Sequence, residues 1–247
     1  MMSNSEIPQS YFDASRNLLY SLVVIFPMLF LYEFLGFINN FETNYQIRNG
    51  ADAMIRQAFS VFGPNSQLIY GLALFLLFCS VGFGHRQILL KGEINIRFLV
   101  LMVCESFIWC GGLLITMKGI NTLFLANPMT SNLLEQFYLS VGAGIWEELI
   151  FRLGLISVFT YIIRSVFRYG RSFSLILSLL FSGSIFSLFH YVGIYGDIFT
   201  WQTFILRTVA GVFLGAVFLF RGLGISVYTH IFYDMVLVSI PVLGLTS

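Results

Sequence analysis

Seven apolar runs limit what this chain can fold into: residues 17–38, 67–84, 98–117, 139–163, 173–191, 199–220 and 225–243. Each is close to the roughly 20 residues a helix needs to cross a bilayer core. None alternates with period two. Backbone polar groups in lipid must be satisfied inside the segment, so helices are expected rather than a barrel. Composition agrees: 57% of residues are hydrophobic and only 10% charged, too few polar groups to cover a water-facing surface. The expected fold is an all-α polytopic membrane helix bundle, one integral membrane domain across 1–247, with the lipid bilayer as its surroundings.

Lysine and arginine set the orientation, because they collect in cytoplasmic loops. With the N-terminus inside, Arg16, Arg86, Lys91, Arg97, Arg164, Arg168, Arg171 and Arg221 are cytoplasmic. Only Arg48, Arg56 and Lys118 lie opposite, eight against three, while Arg152 and Arg207 fall within spans. This predicts a cell-membrane protein with seven spans, a cytoplasmic N-terminus and an outside C-terminus. The polar first 16 residues lead into an apolar stretch too long for a signal-peptide core, which reads as a retained anchor. A net charge near +1 carries no electrostatic footprint for nucleic acid. Cys79, Cys104 and Cys110 have no metal or disulfide spacing and are expected to be small buried apolar residues.

Two segments between spans have texture. In the polar stretch 39–65, Asn49-Gly50 and Gly63-Pro64-Asn65 signal turns, and Met54, Ile55, Phe59 and Phe62 fit either a short interfacial helix or a loop. Residues 130–140 are amphipathic and lead into the fourth span.

Charges inside a bilayer are costly and usually functional. The fourth span carries Glu147, Glu148 and Arg152. In a helix Glu148 and Arg152 share a face and can pair, whereas Glu147 is turned about 100° away and stays available for chemistry. His190 ends the fifth span; a lone histidine there is more often a packing residue. In the seventh span His230 and Asp234 are four apart, a spacing at which Asp234 would fix the imidazole tautomer. Glu105 and Arg207 each need a partner or a polar cavity, and one arrangement pairs them. Glu33 lies toward the outer end of the first span, with a structural role expected. Gly142, Gly144 and Gly154 flank the acidic pair, Gly183 precedes His190, and Gly211 and Gly215 form a GxxxG, the small-residue pattern of close helix packing.

Glu147-Glu148-x-x-x-Arg152, Phe186-x-x-x-His190 and His230-x-x-x-Asp234 resemble, in order, the three motifs of the glutamic intramembrane proteases. That family includes the type II CAAX prenyl endopeptidases and bacteriocin-processing, Abi-like membrane proteins. The likeness covers spans four to seven. It implies a protease-like core over 131–247, with the N-terminal helices of 17–130 unassigned. It also implies that Glu147 is the base that activates water, that His190 helps hold this water, and that His230 and Asp234 line the oxyanion site. Glu148 and Arg152 would organise the surroundings of Glu147, with no metal and no cofactor. The third motif often ends in Asn. An ionised aspartate accepts hydrogen bonds but donates none, so Asp234 is expected only to orient His230.

Simple counting raises one conflict. His190 sits near the outer end of its span and His230 about two turns from the inner end of its own. Straight helices starting at the membrane surface would then leave them roughly 15–20 Å apart in depth. Tilted, short or broken helices would be needed to bring both to Glu147.

The function expected is hydrolysis of a peptide bond in a membrane-associated protein or peptide by water activated by Glu147 and His190. The rivals are a membrane metalloprotease, a transporter or proton relay, and an immunity or sorting partner of another membrane protein. Transporters often show internal repeats, and none is visible here.

Overall fold

The computed structural model describes residues 8, 10–43, 48–91, 94–119, 133–193 and 196–242. Residues 44–47 of the polar stretch, 130–132 of the amphipathic lead and 243 of the seventh run lie outside the described residues. Every regular element among those described is helical. In order these are α1 (Tyr11–Arg16), α2 (Leu18–Thr43), α3 (Gly50–Phe59), a short 3₁₀ turn, α4 (Ser66–Gly84), α5 (Arg86–Lys91) and α6 (Ile96–Gly119). After them come α7 (Leu133–Glu147), a π-helical segment (Glu148–Ile156), α8 (Ser157–Ser165), α9 (Arg171–Phe189), α10 (Trp201–Arg221) and α11 (Leu223–Val242).

Six helical stretches are long and apolar enough to cross a membrane: Leu18–Ile38, Gly50–Gly84, Ile96–Gly119, Arg171–Phe189, Trp201–Arg221 and Leu223–Ile240. The protein is a multi-pass helical membrane bundle. The expected fourth span is helical throughout from Leu133 to Ser165, but its charges set it apart from these six. The stretch 50–62 is helical, as α3 to Phe59 and then the 3₁₀ turn, and its start is capped by the Asn49 side chain accepting from the Ala51 N–H. Cys110 is buried as expected, while Cys79 and Cys104 lie on exposed faces of α4 and α6, where an apolar thiol suits lipid.

The bundle is built around α11. Two-thirds of its span, 67%, is buried, against 6% for the Gly50–Gly84 stretch. Ile225, Val227 and Ile231 of α11 pack into one core with Ile145 and Trp146 of α7 and Tyr20, Val24 and Tyr32 of α2. The GxxxG of α10 lies against α9, where a Cβ on Gly211 would come within 3.0 Å of Gly183 Cα.

The turn from α10 to α11 is buried rather than at a surface. Gly222 has φ +96, and a Cβ there would lie 2.2 Å from the Ser15 carbonyl oxygen of α1. Helix α1 therefore seals this end of the bundle. Its Tyr11 hydroxyl donates to Glu105 at 2.5 Å. Arg221 also grips Glu105, at 2.5 Å and 2.8 Å, and Trp109 donates to it at 2.9 Å. Burial, reinforced by Glu105, pushes the Tyr11 hydroxyl well above its ordinary value, so it remains a donor. Glu105 thus pairs with Arg221 and not with Arg207, which pairs with Asp197. The partner was missed because Arg221 lies at the very end of its span, where sequence assigns it to a loop.

Candidate active site

Helix α7 carries the acidic pair into the centre of the bundle, and two glycines let it approach its neighbours. A Cβ on Gly144 would lie 2.4 Å from Ile231 Cγ1 and 3.0 Å from the Val227 oxygen of α11. On Gly142 it would lie 2.5 Å from the Tyr32 ring and 2.9 Å from Asn49 Cβ. One turn on, Glu147 closes α7 and Glu148 opens the π segment, so the change of helix type falls between the two carboxylates. Sequence periodicity predicts an unbroken α-helix here. The i→i+5 pattern widens the backbone where the charges enter, and such segments are rare and frequently fall at functional sites. The Ser182 hydroxyl of α9 donates to the Phe151 carbonyl of this segment at 2.7 Å, tying it to its neighbour.

Glu148 is fully buried and the most heavily held group. Arg152, also fully buried, reaches its Oε1 at 3.2 Å. Ser226 donates to its Oε2 at 2.5 Å, and His230 Nδ1 donates to its Oε1 at 3.0 Å. The Arg152 guanidinium lies 4.7 Å from the centre of the Phe186 ring, whose π face favours a desolvated cation. The pairing expected from the four-residue spacing is present.

His230 is the hub. With Nδ1 on Glu148, its Nε2 faces Asp234 Oδ2 at 3.5 Å and Glu147 Oε2 at 4.0 Å. The carboxylate within hydrogen-bonding distance of its imidazole is therefore Glu148, not Asp234. Asp234 lies at the open side of the cluster, its side chain 27% exposed against 7% for Glu147.

His190 caps the C-terminal end of α9. Its Nδ1 donates to the Phe186 carbonyl at 2.9 Å, which makes Nε2 the acceptor of the neutral ring. The Phe186 ring stands between the two histidines, 5.0 Å from His190 and 6.0 Å from His230, centre to centre. His190 also lies within electrostatic reach of Glu147. The segment after it is anchored: the Asp197 N–H donates to the His190 carbonyl at 2.9 Å, and Tyr191 and Thr203 share a hydroxyl contact at 2.6 Å.

The expected conflict in depth disappears without a broken helix. Helices α9 and α11 are each continuous, but α11 starts beneath α1, with every residue from Arg221 to His230 buried. Counting from a membrane surface misplaces His230 because the helix does not begin at one.

Two residues join the site that motif spacing does not reveal. One is Ser226, one turn before His230. The other is Asn49, from the N-terminal half, whose Nδ2 donates to Glu147 Oε1 at 3.3 Å. The Asn49-Gly50 pair reads as a turn in sequence; as a helix cap it directs a side chain inward. Among the described residues no three His, Cys, Asp or Glu side chains are grouped to hold a metal ion.

Residues 129–236 match the family model described as type II CAAX prenyl endopeptidase, Rce1-like. No match was found among curated proteins or among solved structures. The segment that carries Glu147, His190, His230 and Asp234 is thus a domain of the Rce1-like type II CAAX prenyl endopeptidase family, a family of proteases.

Proposed function

We propose that the protein is an intramembrane endopeptidase in which Glu147 acts as general base on a water and His190 helps hold that water. The observation that carries this reading is the convergence of two carboxylates, Glu147 and Asp234, on the Nε2 side of His230, while Glu148 is occupied on both oxygens. Glu147 is then the buried carboxylate with an oxygen left for substrate chemistry. The water loses its proton to Glu147 as its oxygen attacks the peptide carbonyl. With Nδ1–H on Glu148, His230 can donate from Nε2 only as the imidazolium; in that form it faces the developing oxyanion, and a donor in such a water-poor site is worth about 2.7–4 kcal/mol. Glu148 and Arg152 hold His230 and the helix in register. Asp234, 3.5 Å from Nε2, acts on His230 by its charge rather than by a hydrogen bond and donates nothing itself.

The substrate in this reading is a membrane-associated protein or peptide, reached from the bilayer. We propose the cell membrane as its location, with the N-terminus cytoplasmic and the C-terminus outside, from the distribution of Lys and Arg. The test is cleavage of a lipid-anchored quenched fluorescent peptide library in proteoliposomes by wild type, Glu147→Gln and His190→Ala. Glu147→Gln is expected to be inactive and His190→Ala to lose about 100-fold or more. Full activity in either overturns the assignment.

A further inference from the structure

Residue 49 lies far outside the segment that matches the protease family, yet its side chain reaches Glu147. The contact is fixed from three directions. Asn49 Oδ1 accepts the Ala51 N–H at 2.9 Å as the cap of α3. That use of the oxygen sets the amide orientation and turns the NH₂ toward Glu147 Oε1. The Asn49 backbone N–H donates to the Tyr32 hydroxyl at 3.2 Å, and Tyr32 donates to Asp52 Oδ2 at 3.0 Å. Asp52 is fully buried and is gripped by Arg56 Nε at 2.7 Å, Arg48 Nη1 at 3.5 Å and the Tyr70 hydroxyl at 3.0 Å. Arg48 and Arg56 both also reach Glu33, the acidic residue of the first span.

This cluster is larger than a helix cap needs. It ties α2, α3 and α4 into a frame from which the Asn49 amide projects toward the acidic pair. Glu147 is thereby bracketed, with Oε1 on Asn49 and Oε2 toward His230.

We propose that Asn49 is a positioning residue of the reaction, holding one oxygen of Glu147 so that the other is aimed at water. This rests on Glu147 being the base. An amide N–H suits the task because it donates a hydrogen bond but takes up no proton at working pH, so it orients the base without competing with it. The N-terminal helices then contribute to the chemistry as well as to anchoring.

The experiment separates the cap from the amide. Asn49→Ser keeps a good cap and loses the amide; Asn49→Ala loses both. Melting temperature, kcat and KM are measured for both, with Glu147→Gln, on the lipid-anchored peptide in proteoliposomes. Asn49→Ser is expected to melt with wild type and Asn49→Ala below it. Both should lose about tenfold or more in kcat, the scale of a hydrogen bond to a charged group, with KM within about twofold. Wild-type kcat in Asn49→Ser, with Glu147→Gln inactive, overturns the role of Asn49 and leaves the base intact. An active Glu147→Gln instead overturns the reading of the site itself. If Asn49→Ser melts early, Asn49→Gly, which weakens a cap only slightly and brings neither amide nor charge beside Glu147, takes its place, and wild-type kcat there overturns the proposal equally.

Discussion

Replacing Gly144 by alanine perturbs the crossing of α7 and α11 that holds the two glutamates against His230. The added Cβ would lie 2.4 Å from Ile231 Cγ1 and 3.0 Å from both the Ile231 nitrogen and the Val227 oxygen. The isoleucine side chain can turn aside, but the two backbone atoms cannot. Ordinary contact begins at 3.4 Å, so α11 must retreat by about 0.4 Å, the difference from 3.0 Å. His230 precedes Ile231 and moves with it, stretching the 3.0 Å contact of Nδ1 with Glu148 toward the limit of a hydrogen bond. Overpacking of this kind costs about 1–3 kcal/mol. At about 2–4 °C per kcal/mol for a chain of this size, the melting temperature falls by roughly 2–12 °C. Turnover falls further, by about 10- to 100-fold, because catalytic groups tolerate little misplacement. Both are read from tryptophan-fluorescence melts in detergent and from cleavage of the lipid-anchored peptide. Gly71→Ala is the control: its Cβ meets nothing within 4 Å, and no loss is expected. A Gly144→Ala protein that melts and cleaves like wild type would refute the reasoning, since the close crossing would then have no energetic content.

Glu105→Gln leaves Arg221 without its counter-charge beneath α1; the loss is about 3 kcal/mol, the low end for a buried pair since Glu105 keeps 19% exposure, with activity per folded molecule retained. A thermal melt that does not move would show that the α1 clamp is idle. Asp52→Asn weakens the frame that holds Asn49, so it should lower kcat together with the melting temperature, unlike Asn49→Ser, which lowers kcat alone. Cleavage should survive prolonged treatment with strong chelators, and its abolition with recovery on adding zinc would transfer the reading to a metalloprotease.

The helical membrane architecture was legible because it follows from the length and polarity of the runs, which tertiary contacts do not alter. The Glu148–Arg152 pair was legible for a related reason: spacing within one helix is local information. What sequence could not supply was local only in appearance. The π segment keeps the same apolar pattern as an α-helix, and its pairing depends on neighbours such as Ser182. Asn49 and Gly50 satisfy the rules for a turn and for a helix cap equally well, and only the packing of Gly142 against Tyr32 and Asn49 separates the two. His190 and His230 looked mismatched because depth was counted from a membrane surface, whereas the start of α11 is set by α1. Position at the end of its span places Arg221 in a loop, although it is 6% exposed and bound to Glu105.

The clamp of Arg221 on Glu105 also has a consequence in time. The two residues are 116 apart in sequence, and at about 5–20 residues per second the ribosome takes roughly 6–23 s to make the partner after the carboxylate. For that interval α6 is in or near the membrane with its acidic group lacking the arginine that will hold it. Glu148 faces no such delay, because Arg152 follows four residues later in the same helix. Glu148 is therefore charge-balanced as it leaves the ribosome, whereas Glu147 waits for partners from other helices. The bundle around them closes only after the end of α10 has brought Arg221 and α11, the central helix, has followed it.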